Sequence, residues 1–100
     1  MPKIDKLVKS SVAGKRYTAV MTDGTRISFG QKDPVHGTYI DHGDKDRRSK
    51  YLARHLANKR EKQLIKNLVP SPALFSADLL WGKSTSLRKN VEELNKKLSP

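Results

Sequence analysis

The residues best placed to do chemistry are cations, and they are densest in Arg48-Ser49-Lys50-Tyr51-Leu52-Ala53-Arg54-His55-Leu56. Guanidinium and ammonium groups around an aromatic ring suit contact with phosphates or carboxylates, through charge-assisted hydrogen bonds and point charges. On a helix Arg48, Tyr51, Leu52, His55, Leu56 and Lys59 fall at i, i+3, i+4, i+7, i+8 and i+11, one face that is apolar in its middle and basic at its ends. That face should pack, while Arg47, Lys50, Arg54 and Lys62 spread charge over the remaining faces. The candidate contacts to nucleic acid or to an acidic partner are therefore Arg47, Arg48, Lys50, Arg54, Lys59, Arg60 and Lys62, with Tyr51 and Trp81 as core or partner anchors.

Bond-breaking chemistry has no comparable signature. The chain has no cysteine nucleophile, no Gly-x-Ser-x-Gly and no carboxylate pair in a pocket-forming constellation. Gly82-Lys83-Ser84 mimics the end of a phosphate-binding loop, but the upstream glycine is missing because residue 77 is alanine. His36, Asp41, His42, Asp44 and His55 offer metal-ligating atoms without the tight spacing of a metal motif. Catalytic residues, cofactor sites and metal sites are accordingly expected to be none, and His55 reads as a hydrogen-bonded residue of the packed face.

The formal charge of +11 on 100 residues implies acidic partners released by salt. Lys and Arg number 15 in residues 1–62 against 7 acids, and 6 in residues 63–100 against 3, so most of the excess lies in the first part. The absence of cysteine fits a reducing compartment. No apolar run approaches membrane-spanning length, and the first residues lack the apolar core of a signal peptide. One small domain is the expected organisation, with oligomerisation left open.

The elements that must carry the cations can be read in order. Residues 1–14, with Lys3, Lys6 and Lys9, read as a flexible basic arm, and residues 15–98 as the domain. Arg16 to Thr22 and Thr25 to Gly30 flank Asp23-Gly24, the signal for a two-residue type I′ hairpin pairing Thr22 with Thr25, Val20 with Ile27 and Thr18 with Phe29. Val20, Ile27 and Phe29 then share the buried face. Residues 31–43 read as a connecting loop in which Tyr39 and Ile40 seal the core edge.

Asp41 or Asp44 caps the basic helix, which starts near residue 43. Residues 58–69 continue that helix or restart it before Pro70, Ser71 with Pro72 begins another that stops at Gly82, and Ser84-Thr85-Ser86 caps a last one with Leu87, Val91, Leu94 and Leu98 on its inner face. Arg88 with Glu92, Lys89 with Glu93, Glu92 with Lys96 and Glu93 with Lys97 stand four apart on the outer face of this last helix. The expected fold is α+β, an N-terminal β-hairpin packed on three to four helices. Its expected core is Val20, Ile27, Phe29, Tyr51, Leu52, Leu56, Leu74, Leu79, Trp81, Leu87, Val91 and Leu94. Trp81 reads as a core or intersubunit anchor in preference to a base-stacking platform.

Three stretches in this order, Tyr17-Thr18-Ala19-Val20 with Ile27-Ser28-Phe29-Gly30, Asp46 to His55, and Leu79-Leu80-Trp81-Gly82-Lys83-Ser84-Thr85-Ser86-Leu87 with Asn90, carry a resemblance. The chain resembles an uncharacterised family of small basic proteins encoded by nucleocytoplasmic large DNA viruses of eukaryotes. The likeness spans roughly residues 15–98; it departs after the Ala-Arg-His run, where such proteins turn at an aromatic and a proline while Lys59 to Val69 here reads as helix. It implies a virus-encoded structural protein, an internal or minor capsid (cement) component of the virion present in host cytoplasm or nucleus during assembly. The implied partners are capsid or other virion proteins, and the alternative is sequence-nonspecific DNA binding through the basic helix.

Overall fold

A computed structural model describes residues 2–31 and 37–98 of the chain. The fold is α+β: an N-terminal antiparallel sheet of order β1-β2-β3 followed by helices. The strands are β1 (Ile4–Lys9), β2 (Lys15–Met21) and β3 (Arg26–Gln31). The helices are α1 (Tyr39–His42), α2 (Lys45–Leu56), α3 (Lys59–Lys66), α4 (Pro72–Phe75) and α5 (Leu87–Leu98), with α4 running on into a π-helical turn over Ser76–Leu80.

The hairpin forms one residue out of the expected register. Met21 N–H donates to the Thr25 carbonyl at 2.8 Å and Gly24 N–H to the Met21 carbonyl at 3.0 Å, so the loop is Thr22-Asp23-Gly24. A type I′ loop needs two residues at positive φ, whereas here only Gly24 takes it, at +87°, while the Asp23 carboxylate accepts Thr25 N–H at 3.0 Å. Ala19 then faces Ile27 and Tyr17 faces Phe29. A slip of one residue turns a strand over. Ala19 and Met21 are buried, Val20 is displaced from the core, and Ile27 and Phe29 keep their inward orientation.

The expected flexible arm is, over Ile4–Lys9, an edge strand paired with β2. Its apolar residues Ile4 and Leu7 stand three apart, which in a regular strand would put them on opposite faces. A bulge between Ile4 and Lys6 brings both to the helix side, opposite Met21 and Ala19. The open edge is closed by α5: Asn95 Nδ2 donates to the Ile4 carbonyl at 3.0 Å and Asn95 Oδ1 accepts Ile4 N–H at 2.9 Å. The side-chain amide thus stands where a further strand would pair.

Caps divide the helical part. Within the expected connecting loop, Tyr39–His42 forms α1, ended by Gly43 at φ +65°. Asp41 in α1 accepts from the Thr38 N–H and hydroxyl at 2.7 and 2.9 Å and from both terminal nitrogens of Arg16 at 2.7 Å. The Arg16 guanidinium holds the Asp41 carboxyl well below its ordinary range. Asp44 caps α2, accepting from Asp46 and Arg47 N–H, and Asn58 caps a separate α3 through Arg60 and Glu61 N–H. Ser71 caps α4 with Pro72 in its first turn.

The core joins Ile4, Ala19, Met21 and Phe29 of the sheet to Leu74, Phe75, Leu79 and Leu80 beneath it and to Leu94 and Leu98 of α5. Tyr39 is buried in this core, and Tyr51, Ile27, Ile40, Leu87 and Val91 pack against it. Leu52 and Leu56, expected inside, are not in it, and Leu56 is 37% exposed. The reason is that α2 crosses the core edge on its Arg48–Tyr51–His55 side, and it contains no fully buried residue.

Trp81 and Gly82 join the π turn to α5. A Cβ on Gly82 would sit 2.3 Å from the Asp78 carbonyl and 2.6 Å from Asn90 Cγ, so only glycine fits. Buried Asn90 donates to the Leu79 and Ser84 carbonyls at 2.9 and 2.7 Å and accepts Ser84 N–H at 3.1 Å, fixing the approach of α5.

Candidate nucleic-acid interface

The basic helix borders an open groove of about 1040 Å³, bounded by the turn between β1 and β2, by α2 and by the start of α4. Lys15 stands on the turn side, and Arg47, Lys50 and Arg54 on the helix side. The three helix cations lie at i, i+3 and i+7, a row rising about 10 Å along α2. Among the described residues that line the groove, Glu61 is the one carboxylate against the four cations Lys15, Arg47, Lys50 and Arg54, so these side chains make the cleft positive. Such a recess concentrates field and attracts anions.

Rings form the floor. Tyr51 stacks on Trp81 with centroids 4.3 Å apart and planes 8° from parallel, and His55 lies on Tyr51 at 4.1 Å and 35°. Trp81 in turn meets His42 edge-on at 5.4 Å. Trp81 is 9% exposed and belongs to the buried core cluster. Burial pushes the Tyr51 phenol up to about 12, against a smaller opposing effect of its hydrogen bond with the Ser76 hydroxyl. Tyr51 therefore serves as a neutral plate held between two other rings.

His55 is fixed from the far side. Its Nδ1 lies 2.8 Å from Glu61 Oε2, and Glu61 belongs to the Asn58-capped first turn of α3. The bond ties the end of α2 to α3 and sets the tilt of the imidazole.

The cations expected to act together divide into three groups. Arg47, Lys50 and Arg54 line the groove. Arg48 turns inward, where Nε donates to the Trp81 and Gly82 carbonyls, both at 3.0 Å, and the guanidinium lies over the Tyr39 ring at 5.6 Å. The single Nε–H is shared between those two carbonyls, and Arg48 supports the floor from behind without lining the groove. Lys59, Arg60 and Lys62 are on α3 and do not line the groove. Lys15 was not among the expected contacts, and its only sequence signal is the Gly14-Lys15 step that turns the chain into β2, more than thirty residues before Arg47.

The metal-ligating candidates are engaged locally. Asp41 is held by Arg16, His42 Nδ1 accepts Asp44 N–H at 2.8 Å, and His55 bonds Glu61. His36 lies outside the described residues, and among these no group of three or more His, Asp or Glu is arranged to hold a metal ion. No helix among the described residues is long and apolar enough to cross a membrane.

Against known proteins, a model of a family of unknown function, DUF5754, matches residues 6–55, half of the chain. The chain belongs to the DUF5754 family. The match runs from within β1 to the penultimate residue of α2, so Lys15, Arg47, Lys50, Tyr51, Arg54 and His55 all fall inside the DUF5754 region, whereas Glu61 and Trp81 lie beyond it. No curated protein and no solved structure matched the chain.

Proposed function

We propose that this protein is a non-enzymatic basic structural protein whose groove holds the phosphate backbone of nucleic acid without reading its sequence. The observation that carries this reading is the convergence of Lys15, from the sheet, with Arg47, Lys50 and Arg54, from α2, on one cleft. Separate elements bring the four cations together, and phosphate contacts of this kind position a nucleic acid without specifying it. The resemblance to small proteins of large DNA viruses supports a virus-encoded origin and a location inside the virion, against the packaged genome. On that reading it is present in host cytoplasm or nucleus during assembly.

A second reading is favoured by Lys59, Arg60 and Lys62, which form a basic surface on α3 outside the groove. Two charged surfaces suit an internal or minor capsid cement that bridges two acidic partners, one of them a capsid or other virion protein. Binding of random-sequence DNA across a salt series separates the readings. Replacing Arg47, Lys50 and Arg54 by alanine should flatten the log–log salt slope by about two to three, close to one unit per lost phosphate contact. Replacing Lys59, Arg60 and Lys62 should leave most of the slope in place. If the second variant flattens the slope and the first does not, the nucleic-acid surface is α3 and the groove reading fails.

A further inference from the structure

We infer that the groove's ligand is single-stranded nucleic acid, with one base laid on His55 as the next plate of the His55–Tyr51–Trp81 stack. This inference rests on the reading of the groove as a phosphate-binding cleft and names the form of nucleic acid that enters it.

The first argument is shape. The cations Lys15, Lys50 and Arg54 line a recess of about 1040 Å³, bounded on one side by the β1–β2 turn and on another by α2. That volume is at the upper end of the range, roughly 300–1,000 Å³, of clefts that enclose small molecules, so it takes a few nucleotides of one strand. A duplex is a stiff convex rod that presents its two backbones on its outside with the bases stacked within. A single strand can lower its phosphates between those walls.

The second argument is the stack. Tyr51 has a ring on each side, at 4.1 and 4.3 Å, and Trp81 is nearly buried, so neither offers a face. His55 ends the series: its ring contact is with Tyr51, about a third of its side chain is exposed, and it lines the groove. The Glu61 bond to Nδ1 fixes the ring, so a base stacking on it orders no loose side chain. The same bond engages Glu61, the one carboxylate among the described residues of the groove, with an imidazole. A cationic cleft with an aromatic plate at its floor is the arrangement that grips single strands without sequence preference, since every base has a π-face.

The test is fluorescence anisotropy with three labelled probes of equal phosphate number: a mixed-sequence single-stranded oligonucleotide, the corresponding duplex, and an abasic single strand. The native protein should bind the single strand about tenfold more tightly than either of the others, the scale of one stacked base. His55→Ala should remove that advantage on the base-bearing strand and leave abasic binding unchanged, while His55→Phe should retain it. The comparison of probes on unaltered protein stands even if a variant folds poorly.

Equal affinity for base-bearing and abasic strands, or a preference for duplex, overturns the inference. If the duplex still binds with a salt slope that depends on Arg47, Lys50 and Arg54, the phosphate-cleft reading survives that failure. Absence of binding to all three probes overturns both.

Discussion

Helices α2 and α5 are each twelve residues long and each amphipathic, yet they do different work. Helix α5 buries Asn90, Leu94 and Leu98, and its outer charges are compensated, with Arg88 3.4 Å from Glu92, Lys96 3.5 Å from Glu93, and Lys97 3.6 Å from Asp78. Helix α2 buries no residue fully, has its acids Asp44 and Asp46 at the N-terminal end, and carries five cations over its length. Compensated charge on a buried helix is a solvated closure of the core. On α2, Arg47 Nε lies 3.7 Å from Asp44 Oδ2 and Arg48 is turned onto the Trp81 and Gly82 carbonyls, but the helix lays Arg47, Lys50 and Arg54 along a recess, and the proposed function rests on that placement.

The comparison can be broken most forcefully through stability. Leu94→Ala in α5 should cost ~3 kcal/mol in denaturant unfolding, because it empties a fully buried site, whereas Leu52→Ala in α2 should cost less than ~1 kcal/mol. Equal losses would mean that α2 is as much a core element as α5. Arg48 sharpens the contrast within α2. Arg48→Ala removes the charge-assisted Nε–H bond shared between the Trp81 and Gly82 carbonyls and should destabilise by ~2 kcal/mol. Measured where the variant is folded, nucleic-acid affinity should change little; a lost unit of salt slope would make Arg48 a ligand contact after all.

A smaller effect concerns the anchor of α1, which precedes α2. Arg16 holds the Asp41 carboxyl below its ordinary value of 3.8, so folding gains stability from this pair fully above that pH. The gain fades as pH falls through the lower native value. Acid unfolding curves of native protein and Asp41→Asn should therefore converge below pH ~4, and above it the native protein should be more stable by ~1 kcal/mol, a modest figure because the pair is partly exposed. A constant gap at all pH values would contradict the ion-pair account.

Much of this architecture was legible in the sequence, and each exception has a physical cause. Asp44, Ser71-Pro72 and the Leu87 to Leu98 spacing announced their helices because caps and periodicity are local signals. Asp23-Gly24 marked a hairpin but fitted two loops, and the tertiary demand to bury Ala19 and Met21 goes with the three-residue one. β1 was hidden because a bulge makes Ile4 and Leu7 share a face at a spacing that no regular strand allows.

At the site, Arg47, Lys50 and Arg54 were legible as cations of the basic helix spread over its unpacked faces, and only the fold sets the three along one groove. Lys15 was not, because only the folded chain brings it to the cleft. Arg48 appeared both on the packing face and among the cations, and the pull of two free carbonyls after the π turn accounts for its inward place.

The most direct test removes three cations from each helix in turn and reads the salt dependence of single-stranded DNA binding. Arg47/Lys50/Arg54→Ala in α2 and Arg88/Lys89/Lys96→Ala in α5 lower the net charge equally. If the groove holds the polyanion, the α2 variant should lose about two units of log–log slope and the α5 variant well under one. Equal flattening by both would mean that bulk charge alone attracts nucleic acid, and the groove would not be its site.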